Sequence, residues 1–280
     1  MSETLLLQGR IAVVTGATAG IGRAIALSLA AQGAAVVVNG RRAGRLDELV
    51  AEINANGRSG PLPGPLPCPL PEGEGGRSRA IAVSGDVSQQ SVIDAMLDGA
   101  KSAYGREADL VVINAGRGLG GSVLTSDPAQ WEAMYEINVM GAARMLRSAG
   151  QRLAGQCPES DPVARPRDII VLGSNVGKHI SPFSSLYGSS KFAVGALAEA
   201  TRRELGPRGV RVTLIAPGIV LSEFQEVAGY TEALVDGFRK KFEPLLQPED
   251  IARLVTYVVS QPAGVHACDI VIRPTRQDYP

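Results

Sequence analysis

Short apolar runs alternate with longer amphipathic stretches along most of this 280-residue chain. The runs are rich in Val and Ile, and most end next to Gly, which is typical of strands buried on both faces of a sheet. Between them, apolar residues recur three and four positions apart, which predicts helices. Strands are expected at 11–15, 34–39, 80–86, 109–116, 168–172, 210–215 and 269–272. The alternation predicts a single Rossmann-type α/β domain over residues 1–280, with a doubly wound parallel sheet of about seven strands flanked by helices.

Two stretches interrupt this pattern. Residues 57–79 are rich in Pro and Gly, which do not sustain a helix or a central strand, so an extended, solvent-facing insertion is expected there. Residues 218–246 carry several aromatic side chains, including Phe224 and Tyr230. We expect this segment to be a substrate lid, although a helix pair packed on the surface would give the same pattern.

A glycine-rich turn, TGATAGIG, follows the first predicted strand and leads into a helix. Gly16 permits a tight turn, Gly20 allows the backbone to approach a pyrophosphate, and Gly22 allows the helix to pack closely on the strand. Phosphates bind favourably at such a helix N-terminus. The turn therefore predicts a dinucleotide site that includes Gly16, Thr18, Ala19, Gly20, Ile21 and Gly22.

The end of the second predicted strand indicates which dinucleotide is preferred. An acidic residue at this position would bind the 2′-hydroxyl of an adenosine ribose. The chain instead has Gly40 followed by Arg41 and Arg42. Because a guanidinium can bind a 2′-phosphate through two hydrogen bonds, we expect NADP(H) rather than NAD. The alternative is that these arginines, with Arg45, are only solvated charges at a helix start.

A hydroxyl, a phenol and an amine stand at a suggestive spacing after the fifth predicted strand: Ser174, Tyr187 and Lys191. If a helix begins near Ser184 or Ser185, Tyr187 and Lys191 share one of its faces. We expect the ammonium to lower the pKa of the phenol, and Ser174 to hydrogen-bond a substrate oxygen. Alone, the Tyr-x-x-x-Lys pattern is weak, because an aromatic residue and a cation are common on helices.

Charge and cysteine content restrict the partners. The chain has 28 basic and 28 acidic residues, so its net charge predicts neither nucleic-acid nor anionic-membrane binding. Its 3 cysteines are far apart, which suits reduced thiols in the cytoplasm. There is no long apolar run, no leader pattern and no clustered set of metal ligands. We therefore expect a cytoplasmic protein that binds a small molecule and holds no metal.

Taken in sequence order, these segments resemble those of the short-chain dehydrogenase/reductase family. The shared features are the glycine turn, Asn-Ala-Gly at 114–116, Asn138, Ser174, the Tyr187/Lys191 pair and Pro217-Gly218. The resemblance implies an NADPH-dependent, reversible reduction of a ketone or aldehyde. In it, Tyr187 transfers the proton, Lys191 tunes Tyr187 and binds ribose, Ser174 orients the carbonyl, and Asn138 holds a water in a proton relay. The C-terminal IVIRPT is similar to that of an NADP-dependent branch acting on 3-hydroxy acids, serine-like substrates and assorted ketones.

The resemblance also implies contacts at further positions. Further cofactor contacts are expected at Asp86, Val87, Asn114, Ala115, Gly116, Pro217, Gly218 and Val220, in addition to Tyr187 and Lys191. Asp86 has an alternative role as a cap of the helix expected near Ser88. Substrate contacts are expected at Arg117, Val176, Phe183 and Phe224. Arg117, Lys178 and His179 are candidates to attract a carboxylate, with solvent-facing charge as the alternative.

Relatives in this family pair the long helices that carry the positions of Asn138 and Tyr187, so a homotetramer or homodimer is implied. Two other functions remain open on the same fold. One is a catalytically silent NADP(H)-binding sensor or scaffold. The other is an isomerase or dehydratase that consumes no cofactor overall.

Overall fold

The computed structural model describes residues 5–56, 78–158 and 160–279. Its strands form one 7-stranded sheet in the order β3-β2-β1-β4-β5-β6-β7, and every neighbouring pair is parallel. The strands are β1 (Ile11–Val14), β2 (Ala35–Gly40), β3 (Ala80–Ser84), β4 (Leu110–Ile113), β5 (Asp168–Leu172), β6 (Arg211–Pro217) and β7 (Asp269–Ile272). This arrangement confirms the predicted doubly wound sheet.

Helices follow most strands and return the chain to the opposite edge. They are α1 (Gly20–Ala31), α2 (Ala43–Asn56), α3 (Gln90–Tyr104), α4 (Trp131–Tyr135), α5 (Ala142–Gly155), α6 (Ser185–Leu205), α7 (Phe224–Val227), α8 (Glu232–Phe242) and α9 (Pro248–Val259). Within the described ranges, every helix is too short or too polar to cross a bilayer.

The two faces of the sheet are covered by separate apolar layers, because successive strand residues point to opposite sides. In β1, Ala12 and Val14 belong to the layer formed with α1, α2 and α9. Ile11 and Val13 belong to the layer formed with α3, α5 and α6. Both layers hold the strands in place, so the loops at their carboxyl ends start from fixed positions.

Three predicted elements differ from the observed ones. The third strand stops at Ser84 and the fourth at Ile113, so the residues that follow them form loops at the carboxyl edge of the sheet. The long helix expected from Trp131 is interrupted by a π-helical turn, Glu136–Gly141. The proline-rich insertion lies outside the described residues, except for Ser78 and Arg79.

The segment 218–246 leaves the sheet after β6 and returns to meet its own start. Val220 and Leu246 form a parallel bridge, and the Leu221 N–H donates to the Leu246 carbonyl over 2.9 Å. Between these ends lie α7 and α8. In α8 only Phe242 is buried, so this helix lies mostly on the surface.

Candidate active site

A cavity of about 360 Å³ opens at the carboxyl edge of the sheet. This is the edge where open parallel α/β sheets bind ligands, and the volume lies within the usual range for small-molecule sites. Every residue predicted to contact a cofactor lines the cavity, except Gly218 and Val220. The structure therefore brings the glycine turn, Arg41 and Arg42, the Asn114–Gly116 loop and Tyr187 together around one space.

The glycine turn has the backbone that a pyrophosphate requires. Gly16 and Gly20 have φ angles of +67° and +53°, which favour glycine. A Cβ on Gly22 would lie 2.4 Å from both the Asn114 Nδ2 and the Gly16 carbonyl oxygen, so no side chain fits there. The N-cap residue of α1, Ala19, makes no side-chain capping bond, which leaves the first-turn N–H groups for an anion. These features fit a dinucleotide.

Asn114 has a structural role in this turn besides lining the cavity. Its Nδ2 donates to the Thr15 and Gly16 carbonyl oxygens over 2.9 and 3.1 Å. The Asn114 amide therefore ties the loop after β4 to the glycine turn after β1. Asp86 is likewise held locally, since its Oδ1 accepts the Ser88 N–H over 2.9 Å, ahead of α3, which begins at Gln90.

Tyr187 and Lys191 lie on one face of α6, because this helix begins at Ser185 as predicted. Both side chains are buried at the cavity. The Lys191 Nζ lies 5.8 Å from the centroid of the Tyr187 ring and donates to the Leu172 carbonyl oxygen over 2.9 Å. The ammonium is thus anchored to the end of β5, within reach of the phenol.

The prediction that Lys191 lowers the pKa of the Tyr187 hydroxyl is wrong for the protein alone. Burial raises the pKa of the Tyr187 hydroxyl, and this outweighs a hydrogen bond with Ser174 that lowers it; the nearby Tyr230 raises it further. Burial also lowers the pKa of Lys191 from 10.5 to about 8. The physical reason is that folding buries both side chains away from water, and desolvation disfavours the charged form of each.

Ser174 lies just beyond β5 and begins a short 3-10 turn, Asn175–Gly177. Its Oγ accepts the Val176 N–H over 3.4 Å, in addition to the hydrogen bond with Tyr187. The turn therefore sets the orientation of the hydroxyl towards the phenol.

Asn138 lies in the π-helical turn and reaches across to the loop after β4. Its Oδ1 accepts the Arg117 N–H over 2.8 Å, and its Nδ2 donates to the Arg117 carbonyl oxygen over 2.9 Å and to the Ser190 Oγ over 3.1 Å. Both N–H groups of the amide are used by the protein. The geometry shows that Asn138 ties the π-helical turn to the loop after β4 and to α6, and the water relay stays a prediction.

Two of the four expected substrate contacts line the cavity and two do not. Arg117 and Phe224 line the cavity, and the Phe224 ring centroid lies 5.5 Å from that of Tyr187. Val176 packs with Tyr187 in a small apolar cluster without lining the cavity. Phe183 is 79% exposed and lies outside the lining, so its selection as a substrate contact is not supported.

Two predicted cofactor contacts, Gly218 and Val220, pack against other parts of the protein. Gly218 donates its N–H to the Ile272 carbonyl oxygen over 2.7 Å, and a Cβ there would meet Gln277 and Arg273. Val220 is buried. Both therefore pack within the protein instead of facing the cavity, contrary to expectation. Lys178 forms an ion pair with Asp269, which disfavours it as a carboxylate site.

Several lining residues were missed by the sequence analysis. Those next to recognised segments are Asn39, Gly40, Gly85, Ile137, Leu172 and Gly173, and a rule that includes the ends of all strands would have found most of them. Ser222, Glu223 and Val227 come from the segment 218–246. The aromatic residues predicted a lid over this segment, but no local pattern singles out these three positions, because they reach the cavity only through the fold.

Comparison with known proteins identifies the family of this chain. The family model for short chain dehydrogenases matches residues 10–61 and 71–233. An uncharacterized oxidoreductase of Staphylococcus epidermidis is 32% identical over 265 residues, which cover 95% of this chain and 97% of the relative. The chain therefore belongs to the short-chain dehydrogenase/reductase family, a family of oxidoreductases that bind nicotinamide cofactors.

Solved structures agree with the fold. A short-chain type dehydrogenase/reductase from Mycobacterium marinum superposes with a TM-score of 0.78 at 26% identity, covering 98% of each chain. A closed form of serine dehydrogenase complexed with NADP+ superposes with a TM-score of 0.76 at 29% identity, covering 96% of each chain.

Proposed function

We propose that this chain is a single-domain, NADPH-dependent reductase that converts a ketone or aldehyde to an alcohol, reversibly. The observation that supports this most is the cavity itself, where Tyr187 and Lys191 face the same space as a glycine turn suited to a pyrophosphate. Ser174 lies outside the lining and is hydrogen-bonded to Tyr187. A phenol and an amine in one cavity, with a hydroxyl bonded to the phenol, can hold and transfer a proton.

Each side chain has a distinct role in this proposal. Bound NADPH would supply the hydride. The Tyr187 hydroxyl, which is hydrogen-bonded to Ser174, would donate a proton to the carbonyl oxygen. Ser174 would hydrogen-bond that oxygen as its negative charge develops. Lys191, held by the Leu172 carbonyl, would bind ribose hydroxyls and re-supply the proton.

NADP(H) is favoured over NAD by the charge at the end of β2. Arg41 and Arg42 line the cavity beyond Gly40, where an acidic residue would bind a free 2′-hydroxyl. The similar serine dehydrogenase is described with NADP+, which agrees with this preference. The dissociation constants for NADPH and NADH, measured side by side, test the proposal, and equal values would contradict it.

The substrate is proposed to be a small carbonyl compound, with 3-oxo acids as the first candidates. Arg117 offers a guanidinium in the cavity, and its Nη2 is held by the Gln130 Oε1 over 2.7 Å. Its buried Nε has no hydrogen-bond partner among the described residues. A screen of NADPH consumption over keto acids, simple ketones, quinones and sugars distinguishes these classes.

Replacing Tyr187 with Phe tests the reaction. We expect turnover to fall by about 10²- to 10⁴-fold, because the proton donor is lost, while NADPH binding is retained. Tyr257→Phe, at an exposed position on α9, serves as the control and should behave like the wild type. Near-normal turnover in the Tyr187 variant would refute the reductase mechanism. NADPH binding without oxidation across the screen would favour the sensor, and turnover without net oxidation would favour the isomerase or dehydratase.

A homodimer or homotetramer is proposed as the working form. Met140 in the π-helical turn and Phe192 on α6 are 46% and 42% exposed, and large exposed apolar side chains often mark protein contacts. Light scattering during size-exclusion chromatography measures the mass directly. A monomer at micromolar concentration would contradict the proposal.

A cytoplasmic location is proposed on chemical grounds. Cys157 and Cys268 are free thiols in the part of the chain that the structure describes, which suits a reducing compartment. Imaging of the tagged protein tests this.

A further inference from the structure

The segment 218–246 places a carboxylate on the arginines that follow β2. Glu223 precedes α7, and its Oε2 lies 2.9 Å from the Arg42 Nη1, while its Oε1 lies 2.5 Å from the Arg45 Nη1. These hydrogen bonds hold the pKa of Glu223 below its ordinary range, so it is a carboxylate at neutral pH. The pair of guanidinium groups therefore binds one anion already.

Arg42 connects this carboxylate to the glycine turn. Its Nη2 and Nε donate to the Thr18 Oγ1 over 2.9 and 3.3 Å. The residue before Glu223 also reaches this turn, since a Cβ on Gly20 would lie 3.2 Å from the Ser222 Cβ. The Glu223 carboxylate thus occupies a guanidinium that also contacts the glycine turn, and Arg42 is one of the two arginines predicted to bind a 2′-phosphate.

A ligand anion can displace Glu223 from Arg42 and Arg45. The side chains of Arg42 and Arg45 are 46% and 44% exposed, and that of Glu223 is 43% exposed. Ion pairs with this exposure are weak, because water screens them. A phosphate is tetrahedral, but like a carboxylate it can offer two oxygens to one guanidinium, and it carries more charge.

We propose that Glu223 competes with the 2′-phosphate of NADP(H) for Arg42 and Arg45, and is thereby a specificity-determining residue that weakens the preference for phosphorylated cofactor. This inference rests on the proposed use of NADP(H). It differs from the expectation that the arginines alone set cofactor choice, because the opposing charge comes from a distant segment of the chain.

The test measures binding of nucleotide fragments by calorimetry, without substrate or turnover. The probes are 2′,5′-ADP, which carries the 2′-phosphate, and 5′-AMP, which lacks it. For Glu223→Gln we expect 2′,5′-ADP to bind about 3- to 10-fold more tightly, since two exposed ion pairs no longer compete. The affinity for 5′-AMP should stay the same.

Glu226→Gln is the matched control, because Glu226 is an exposed carboxylate on α7 with the same charge. It should bind both probes as the wild type does. In an Arg42→Ala/Arg45→Ala background, Glu223→Gln should have no effect on 2′,5′-ADP, since there is nothing left to compete for. Equal tightening of both probes, the same gain in the Glu226 variant, or no gain at all would overturn the inference.

Measuring NADPH and NADH on the same variants separates the inference from the proposed function. If the wild type prefers NADPH and Glu223→Gln leaves that preference unchanged, the function stands and the inference fails. If only the Glu223 variant prefers NADPH, the inference stands and the proposed preference of the natural protein fails.

Discussion

Burial of Tyr187 and Lys191 beside the cavity shifts their pKa values in opposite directions. The ammonium loses hydration, and among the described residues it gains a hydrogen bond to the Leu172 carbonyl oxygen and a contact with the Tyr187 ring. This lowers its pKa from 10.5 to about 8, which means that the folded protein carries a destabilising charge at neutral pH. Active sites often keep residues that lower the stability of the fold but are needed for the reaction.

Lys191→Met should therefore stabilise the protein at pH 7 while abolishing activity. The gain is expected to be up to about 3 kcal/mol, at about 1.36 kcal/mol per pKa unit. Between pH 8 and 10.5 the unfolded wild-type chain binds more protons at Lys191 than the folded one, so wild-type stability rises with pH in this window. The advantage of the variant should shrink there. Urea unfolding at several pH values measures this.

Lys240→Met, on the exposed surface of α8, is the control and should show no such pH-dependent difference. A Lys191 variant that is less stable than the wild type at pH 7, or a difference that does not change with pH, would contradict the assigned burial effect.

Individual turns and helices set the positions of the site residues. The glycine turn after β1 depends on close packing that the residue types predict: Gly22 leaves no room for a Cβ between Asn114 and the Gly16 carbonyl. The π-helical turn, in contrast, has no marker in the apolar periodicity, which runs on through Glu136–Gly141. It forms where Asn138 pairs with the backbone of Arg117, which lies in the separate loop after β4.

Gly22→Ala should destabilise the protein by about 1–3 kcal/mol, because the added methyl overpacks the turn, and should weaken nucleotide binding. Gly44→Ala is a matched control in the first turn of α2, where a Cβ meets nothing within 4 Å. The control should be neutral or gain up to about 1 kcal/mol from helix propensity. Thermal unfolding with and without NADPH measures both effects. Equal stability of the two variants would argue against the close packing.

The opposite edge of the sheet carries a buried ionic cluster that binds the strands together. The Asp168 carboxylate at the start of β5 accepts from the Arg10 Nη2 over 2.8 Å and from the Arg211 Nε and Nη2 over 2.7 and 2.9 Å. Arg10 also contacts Asp109 over 2.7 Å. These residues precede or begin strands β1, β4, β5 and β6, far from the cavity at the other edge.

Asp168→Asn should cost about 3–5 kcal/mol, because it leaves buried guanidinium groups without their charge partner. The kcat/KM of the folded fraction should not change. Asp236→Asn breaks an exposed pair with Arg239 and should cost at most about 1 kcal/mol. Denaturant titration and activity at low temperature check both expectations. A marked loss of kcat/KM with stability intact would contradict a purely structural role.

The sequence by itself determined the strand and helix succession, the parallel sheet and the shared face of Tyr187 and Lys191. These features follow from the periodicity and spacing of residues within short stretches of the sequence. It also identified the glycine turn, because backbone conformation there depends on residue type.

Only the tertiary structure decided the pKa shifts of the pair, the hydrogen bonds of Asn138 and the contact of Glu223 with Arg42, which are 181 residues apart. The physical reason is that burial and long-range charge depend on which loops meet at the edge of the sheet. Which loops come together is set by the packing of all the strands, and no single segment of the sequence indicates it.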